Sequence, residues 1–385
     1  MVLVLLITAP LLDAQNLVDE GWDHFYNLEY DSAISAFEKA ILQNPNSPDL
    51  HNHLAQCLVF DKMYRDGTLE SELVTGNNSL LRRPNFNPAM PTRQRFLAEI
   101  DKALSLSDAR LKENPNDPAA LYAQGISFGI RSDYFWVVEK SWRDSLRDAT
   151  SARRAHTRLS GVEPKNVDAR LVQGLHDYLV GSLPWGYRAL GFLVGIRGDK
   201  EKGLATVKYV AENGNLNKVD AEIFLCALYR REGQPKLAVP LVQDLIHRFP
   251  RNYLLRLELS VMYGLADDKD HALEAVREAA RLKRANAPGF EKMAWEKIYY
   301  REGSLQFGYR ELEQSLENFQ KVAAAIGNVD RNTGAYTYLR MGQIFDLTHR
   351  RTEAVEYYRK ATAFEPQADG AIEARKYLTA PYSPK

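Results

Sequence analysis

The chain is short of cysteine, of net charge and of long apolar runs, and each shortage excludes a class of protein. Two cysteines in 385 residues, Cys57 and Cys226, cannot build a disulfide framework or a four-ligand zinc site. Both lie among apolar neighbours, in LAQCLVF and IFLCALY, where a small buried thiol is the expected state. Fifty basic residues balance fifty acidic ones, so no overall field draws the chain onto a phosphate backbone, and a nucleic-acid partner is not expected. The densest basic patch, RRAHTRL at residues 153–159, follows the acid-bearing RDSLRDATS and reads as a solvated helix face.

Catalytic motifs are missing as well. There is no His-Glu-x-x-His, phosphate loop, Gly-x-Ser-x-Gly or dinucleotide fingerprint. His51 and His53 stand two apart, the wrong spacing for ligands on one helix face. His176 and Asp177 are adjacent, and neighbouring helix residues point in different directions. A hydrolase or transferase built on His176 and Asp177 is therefore the weakest of the functional readings. No enzyme activity, cofactor or metal is expected.

The longest apolar run is at the start, residues 2–12, too short to span a bilayer but suited to the core of a secretory signal. Small Ala14 then precedes Gln15, so residues 1–14 read as a signal peptide and the mature chain as periplasmic or secreted. If the run is instead a buried first helix, the chain is cytoplasmic.

What the sequence does have is repetition. Near the C-terminus, Tyr338, Gly342 and Phe345 form one apolar helical stripe, and Ala354, Tyr358, Ala361 and Pro366 continue on a second. Small residues let two antiparallel helices approach closely, and the proline ends the unit. The same spacing recurs at Gly21, Ala33, Phe37, Ala40 and Pro45, and again at Leu225, Cys226, Tyr229, Ala238, Val242, Leu245 and Pro250. Degenerate copies run through Ser260 and Ala272, and through Gly303, Ser315 and Phe319. This pattern resembles the tetratricopeptide repeat. It implies an all-α, right-handed superhelical solenoid of about eight antiparallel helix pairs over residues 15–379, with AIEARKYL at residues 371–378 as a capping helix and residues 380–385 as a tail.

Two stretches interrupt the unit. Residues 65–92, rich in Asn, Pro and Gly, read as a loop insertion that could act as a lid. Residues 182–198, SLPWGYRALGFLVGIRG, read as a short extra apolar helix, with Asp199 capping the next one. Trp185, Tyr187, Leu190, Phe192 and Leu193 either pack that helix onto the solenoid or touch a membrane surface. With GSLP, LGFLVGIRGDKEKGL and Gly214, this block resembles bacterial secreted or periplasmic tetratricopeptide proteins and, more distantly, the eukaryotic inclusion-body-clearance and tetratricopeptide-39 family. That resemblance implies a non-enzymatic adaptor, some members being associated with organelle membranes or lipid droplets.

First helices line the concave face of such a solenoid, so side chains there that packing does not need are candidates for holding a protein or peptide partner. These are Asn52, Gln56, Tyr122, Gln173, Asp177, Arg230, Arg256, Tyr299 and Arg340. A partner with an acidic group or a C-terminal carboxylate suits the arginines. The alternative is a membrane-surface module docking around Trp185.

Overall fold

A computed structural model of the chain describes residues 8–67, 69, 90–183, 185 and 197–384. Expectations for residues 1–7, for most of the 65–92 insertion and for Tyr187, Leu190, Phe192 and Leu193 fall outside the described residues. Among the described residues there are seventeen α-helices, one 3-10 turn and no strand, and no helix is long and apolar enough to cross a membrane. The fold class is the all-α tetratricopeptide solenoid.

The helices alternate as first and second members of eight pairs: α1 (Thr8–Tyr26) with α2 (Tyr30–Gln43), α3 (Pro48–Arg65) with α4 (Met90–Glu113), α5 (Pro118–Val137) with α6 (Trp142–Val162), and α7 (Arg170–Gly181) with α8 (Lys200–Asn213). Then follow α9 (Lys218–Arg231) with α10 (Pro235–Arg248), α11 (Tyr253–Leu265) with α12 (Lys269–Arg284), α13 (Trp295–Gly308) with α14 (Leu312–Ala324), and α15 (Arg331–Leu347) with α16 (Arg351–Phe364). The capping helix α17 (Asp369–Lys376) closes the series. Residues 8–14, the end of the expected signal, lie in the first turns of α1.

The local chemistry explains the punctuation. Asp117, Asp199, Asn252, Asp268 and Asp330 each accept a hydrogen bond from a backbone N–H of the helix they precede. Within pairs, a left-handed residue stands two positions before the second helix: Leu28, Lys140, Gly233, Asp267, Arg310 and His349, with φ between 55° and 67°. Only one of the six is glycine, the residue that adopts this conformation without strain.

Close approach inside a pair depends on the small residue of the first helix. A Cβ built at Gly342 would lie 2.5 Å from the Tyr358 ring, and one at Gly21 would lie 2.5 Å from the Phe37 ring. In both cases the aromatic follows sixteen positions later. Phe37, Tyr358 and Phe319 are fully buried in their pairs, and both cysteines are buried thiols.

The chain forms two compact units, residues 1–62 with 85–228, and residues 63–84 with 229–385. In the second unit the core gathers Phe307, Phe319, Leu339, Ile344, Phe345 and Tyr358. Residues 380–384 are more than the expected tail. The Tyr382 ring sits 6.3 Å from Phe307 and 5.3 Å from Tyr377, and its backbone N–H donates to Asp346 at 2.7 Å. That docking was invisible in a short Pro- and Ser-containing terminus, because a neighbour distant in sequence supplies the acceptor.

Candidate partner-binding face

In the first unit the side chains on first helices are engaged with one another. Tyr26 on α1 donates to Asp220 on α9 at 3.0 Å, and Gln56 on α3 bonds the same carboxyl. Burial pushes Asp220 up to about 6, against those two hydrogen bonds. Tyr122 on α5 donates to Asn217 at 2.9 Å, stacks on His156 with centroids 5.6 Å apart, and has its phenol raised by burial. Asn217 in turn bonds the backbone carbonyl of Asp168, whose carboxylate accepts two backbone N–H groups of the turn before α9. Asn52 is buried and divides its amide between the Ala123 carbonyl and the Ser127 hydroxyl, so it fastens α3 to α5.

On α7, Gln173 donates to Ser160 at 3.0 Å and Asp177 pairs with Arg153 at 3.5 Å. His176 Nδ1 lies 3.5 Å from Asp177, and burial followed by the Arg153 charge lowers the imidazole below its usual range. An Asp already facing a guanidinium, beside a histidine whose proton affinity burial lowers, is the arrangement of a structural ion pair. Trp185 is 78% exposed, near Leu179 at 55% and Leu183 at 44%.

The second unit differs, because each of its first helices α9, α11, α13 and α15 carries an arginine: Arg230, Arg256, Arg301 and Arg340. Arg230 on α9 donates through Nη1 to both oxygens of Glu258 on α11, at 2.8 and 3.1 Å, with the two side chains only 8% and 15% exposed. Burial raises the Glu258 carboxyl above its usual range, opposed by the charges of Arg230 and Arg301. The same burial lowers Arg230. Arg301 on α13 is close enough to act on both members of this pair, and its Nε is sealed from solvent without a hydrogen-bond partner. On α15, Arg340 donates to Gln343 at 2.7 Å and stacks over the Phe307 ring at 4.7 Å. Tyr300 and Tyr336 lie within the influence of Arg340, their phenols raised by burial.

The remaining candidates turn elsewhere. Arg256 lies over the Phe290 ring at 5.9 Å and interacts with Glu278 on α12, while Tyr299 stacks on Trp295 and receives Lys321 of α14 over its ring at 5.2 Å. So the structure gathers Arg230 with Glu258 and Arg301, two residues that sequence reasoning missed. A signal for them existed. Glu258, Arg301 and Arg340 each stand two positions before the small residue of their first helix, Ser260, Gly303 and Gly342. Equivalent repeat positions project alike, so three charges form one line across successive first helices.

Comparison with known proteins agrees with this architecture. Residues 18–59 and 335–367 each match a tetratricopeptide repeat model. Together with eight helix pairs of the expected spacing, the two matches identify the chain as a tetratricopeptide-repeat protein. Similar solved structures include yeast Tom70, 12% identical over 95% of each chain with a TM-score of 0.39. A tetratricopeptide repeat protein from Parabacteroides merdae is 13% identical over 81% of this chain and 93% of that one, with a TM-score of 0.33. Human IFIT1, in a dimer with m7Gppp-AAAA, is 14% identical over 95% of this chain and 85% of that one, with a TM-score of 0.48. No curated protein matches the sequence significantly.

Proposed function

We propose that this protein is a non-enzymatic scaffold of the cell envelope that holds a protein or peptide partner along the first-helix face of its second unit. Repeat scaffolds of this kind bind through surfaces that packing leaves over. The observation that carries the reading is the contrast between the units. First-helix polar groups of the first unit are tied to one another, whereas the first helices of the second carry Arg230 and Arg301, which both act on Glu258, and Arg340, which lies over the Phe307 ring. Arginine on successive first helices favours a partner that supplies carboxylates, for which the guanidinium has the matching fork geometry. The apolar run at residues 2–12 with Ala14 after it supports an envelope location.

A photo-crosslinking amino acid at Tyr336 on α15, compared with one at exposed Leu237 on the second helix α10, tests the reading in the source cell. Partner adducts from position 336 and not 237 support it. Adducts from position 237 alone refute it.

A second reading rests on Trp185 and the exposed Leu179 and Leu183 beside it, which offer an interfacial apolar patch at the end of α7. It expects the wild-type chain to float with anionic liposomes and a folded Trp185→Ala, Leu183→Ala variant to stay in the pellet fraction. Equal behaviour of the two removes it.

A further inference from the structure

In a repeat stack each unit touches its neighbours, so a bond that skips units stands outside the stacking and crosses the concave face. The first unit has two such bonds, both at the N-terminal end of α9. Tyr26 belongs to the first helix pair and Asp220 to the fifth, yet the phenol donates to the carboxyl at 3.0 Å, and Gln56 of the second pair bonds the same group. Tyr122 of the third pair donates to Asn217, just before α9, at 2.9 Å. The turn that carries Asn217 is braced from behind. Asp168 accepts the backbone N–H groups of Asn215 and Asn217, and a Cβ on Gly214 would lie 2.9 Å from that carboxylate and 2.6 Å from the Val210 carbonyl oxygen.

The groups that receive this turn are neutral donors: Tyr26, Gln56 and Tyr122. No basic side chain among the described residues pairs with Asp220. The other charged groups around it are acids or are already answered. Asp49 on α3 and Asp168 before α7 act with Asp220 on the Tyr122 phenol, and Asp49 has Arg110 of α4 as its counter-charge. His53, one turn before Gln56, is pushed down to about 4 by burial. Lys218 and Glu222 lie on α9 itself. A bond that served the fold alone would gain from a cation here, whereas a lone carboxyl among neutral donors is held most firmly when it carries a proton.

We infer that Asn217 and Asp220 form a clasp across the concave face of the first unit, closed when Asp220 is protonated and loosened when it ionises. While closed, the clasp spends Gln56 and Tyr122, first-helix side chains suited to a partner, on the chain's own turn, so a ligand reaches this face once the clasp has opened. It lies wholly within the first unit and is independent of the partner-binding reading of the second. Burial holds the closed carboxyl at about 6, where an exposed aspartate titrates near 3.8. The closed form therefore takes up a proton more readily, and closure is strongest in acid and weakens as pH rises from about 4 to 6. Between pH 4.5 and 7.5 the ratio of open to closed chains should rise about twentyfold.

The test places spin labels at Glu20→Cys on α1 and Glu212→Cys on α8, both exposed, in the full chain, whose native thiols are buried. Double electron–electron resonance reads the distance between them at pH 4.5 and 7.5. The expected result is a short distance that gives way to a longer one at pH 7.5. In Asp220→Asn, which keeps a neutral acceptor for Tyr26, the short distance should dominate at both pH values. Tyr26→Phe, which removes the donor, should favour the longer distance already at pH 4.5. An unchanged distribution in the wild type, a pH shift that survives Asp220→Asn, or a shift accompanied by loss of far-UV circular dichroism, which reports unfolding, each overturns the clasp. None of those results touches the second unit, whose reading is decided by the crosslinks from Tyr336 and Leu237.

Discussion

Asp346 on α15 is the residue whose loss should be felt most sharply in the second unit. Its carboxylate, 1% exposed, accepts Arg351 Nη1 at 3.0 Å on both oxygens, the Tyr358 hydroxyl at 2.8 Å and the backbone N–H of Tyr382 at 2.7 Å. Arg351 then passes the connection on, donating to the carbonyls of Tyr377 and Leu378 at 2.8 and 3.2 Å. One side chain therefore ties α15 to α16 and both to the terminal segment. Asp346→Asn keeps the shape but leaves one accepting oxygen where there were two. One oxygen, Oδ2, receives all three donors, so an amide oxygen there keeps the contacts, but none is charge-assisted any longer and the amide NH2 is set against Arg351, which costs about 3–5 kcal/mol in total. If a unit of this size melts cooperatively, that loss lowers Tm by about 10 °C. Repeat arrays also open from their ends, so amide hydrogen exchange is the sharper assay. Residues 369–384 should exchange faster in the variant while α2 and α6 stay as protected as before. A Tm within about 2 °C of wild type with unchanged exchange at Tyr382 would refute the assignment, since a neutral amide cannot replace the lost carboxylate charge facing Arg351.

The other predictions follow from the same contacts. Because burial holds the Asp220 carboxyl near 6, the folded chain binds a proton that the unfolded chain lacks between about pH 4 and 6, so stability rises as pH falls through that window. Asp220→Asn should accordingly raise Tm at pH 7.5 and lose that advantage at pH 5, and a gain that is the same at both pH values would contradict the argument. Gly342→Val places a Cβ 2.5 Å from the Tyr358 ring and 3.1 Å from the Ala354 carbonyl, and should lower the urea midpoint by the equivalent of about 1–3 kcal/mol. Gly129→Ala in α5, where a Cβ meets nothing within 4 Å, should instead gain about 0.5–1 kcal/mol; a loss there would show that the space around Cβ is the wrong variable.

Part of this protein was legible in the sequence because repeats write their packing locally. A small residue, an aromatic sixteen positions later and a proline at the unit's end define one helix pair with no outside information, as Gly21 with Phe37 and Gly342 with Tyr358 both show. Asp199 as an N-cap and two buried thiols followed from the same local logic. The site was legible only in outline. First-helix position named Arg230 and Arg340, but it could not tell that Asn52 binds Ala123, that Gln56 and Tyr26 meet on Asp220, or that Arg256 and Tyr299 turn toward α12 and α14. Nor did it pick out Glu258 and Arg301, although their register was visible.

The sequence by itself determined the repeat, the pairing of helices and the punctuation between them, since these depend on neighbours within some thirty residues. Tertiary structure alone decided which polar side chains are consumed and which remain. Tyr26 and Asp220 are 194 residues apart, and Asp346 and Tyr382 are 36 apart. Whether such groups meet depends on the small rotation added by each successive repeat. A hydrogen bond needs its partners placed within a few tenths of an ångström, a precision that no local pattern carries across several repeats.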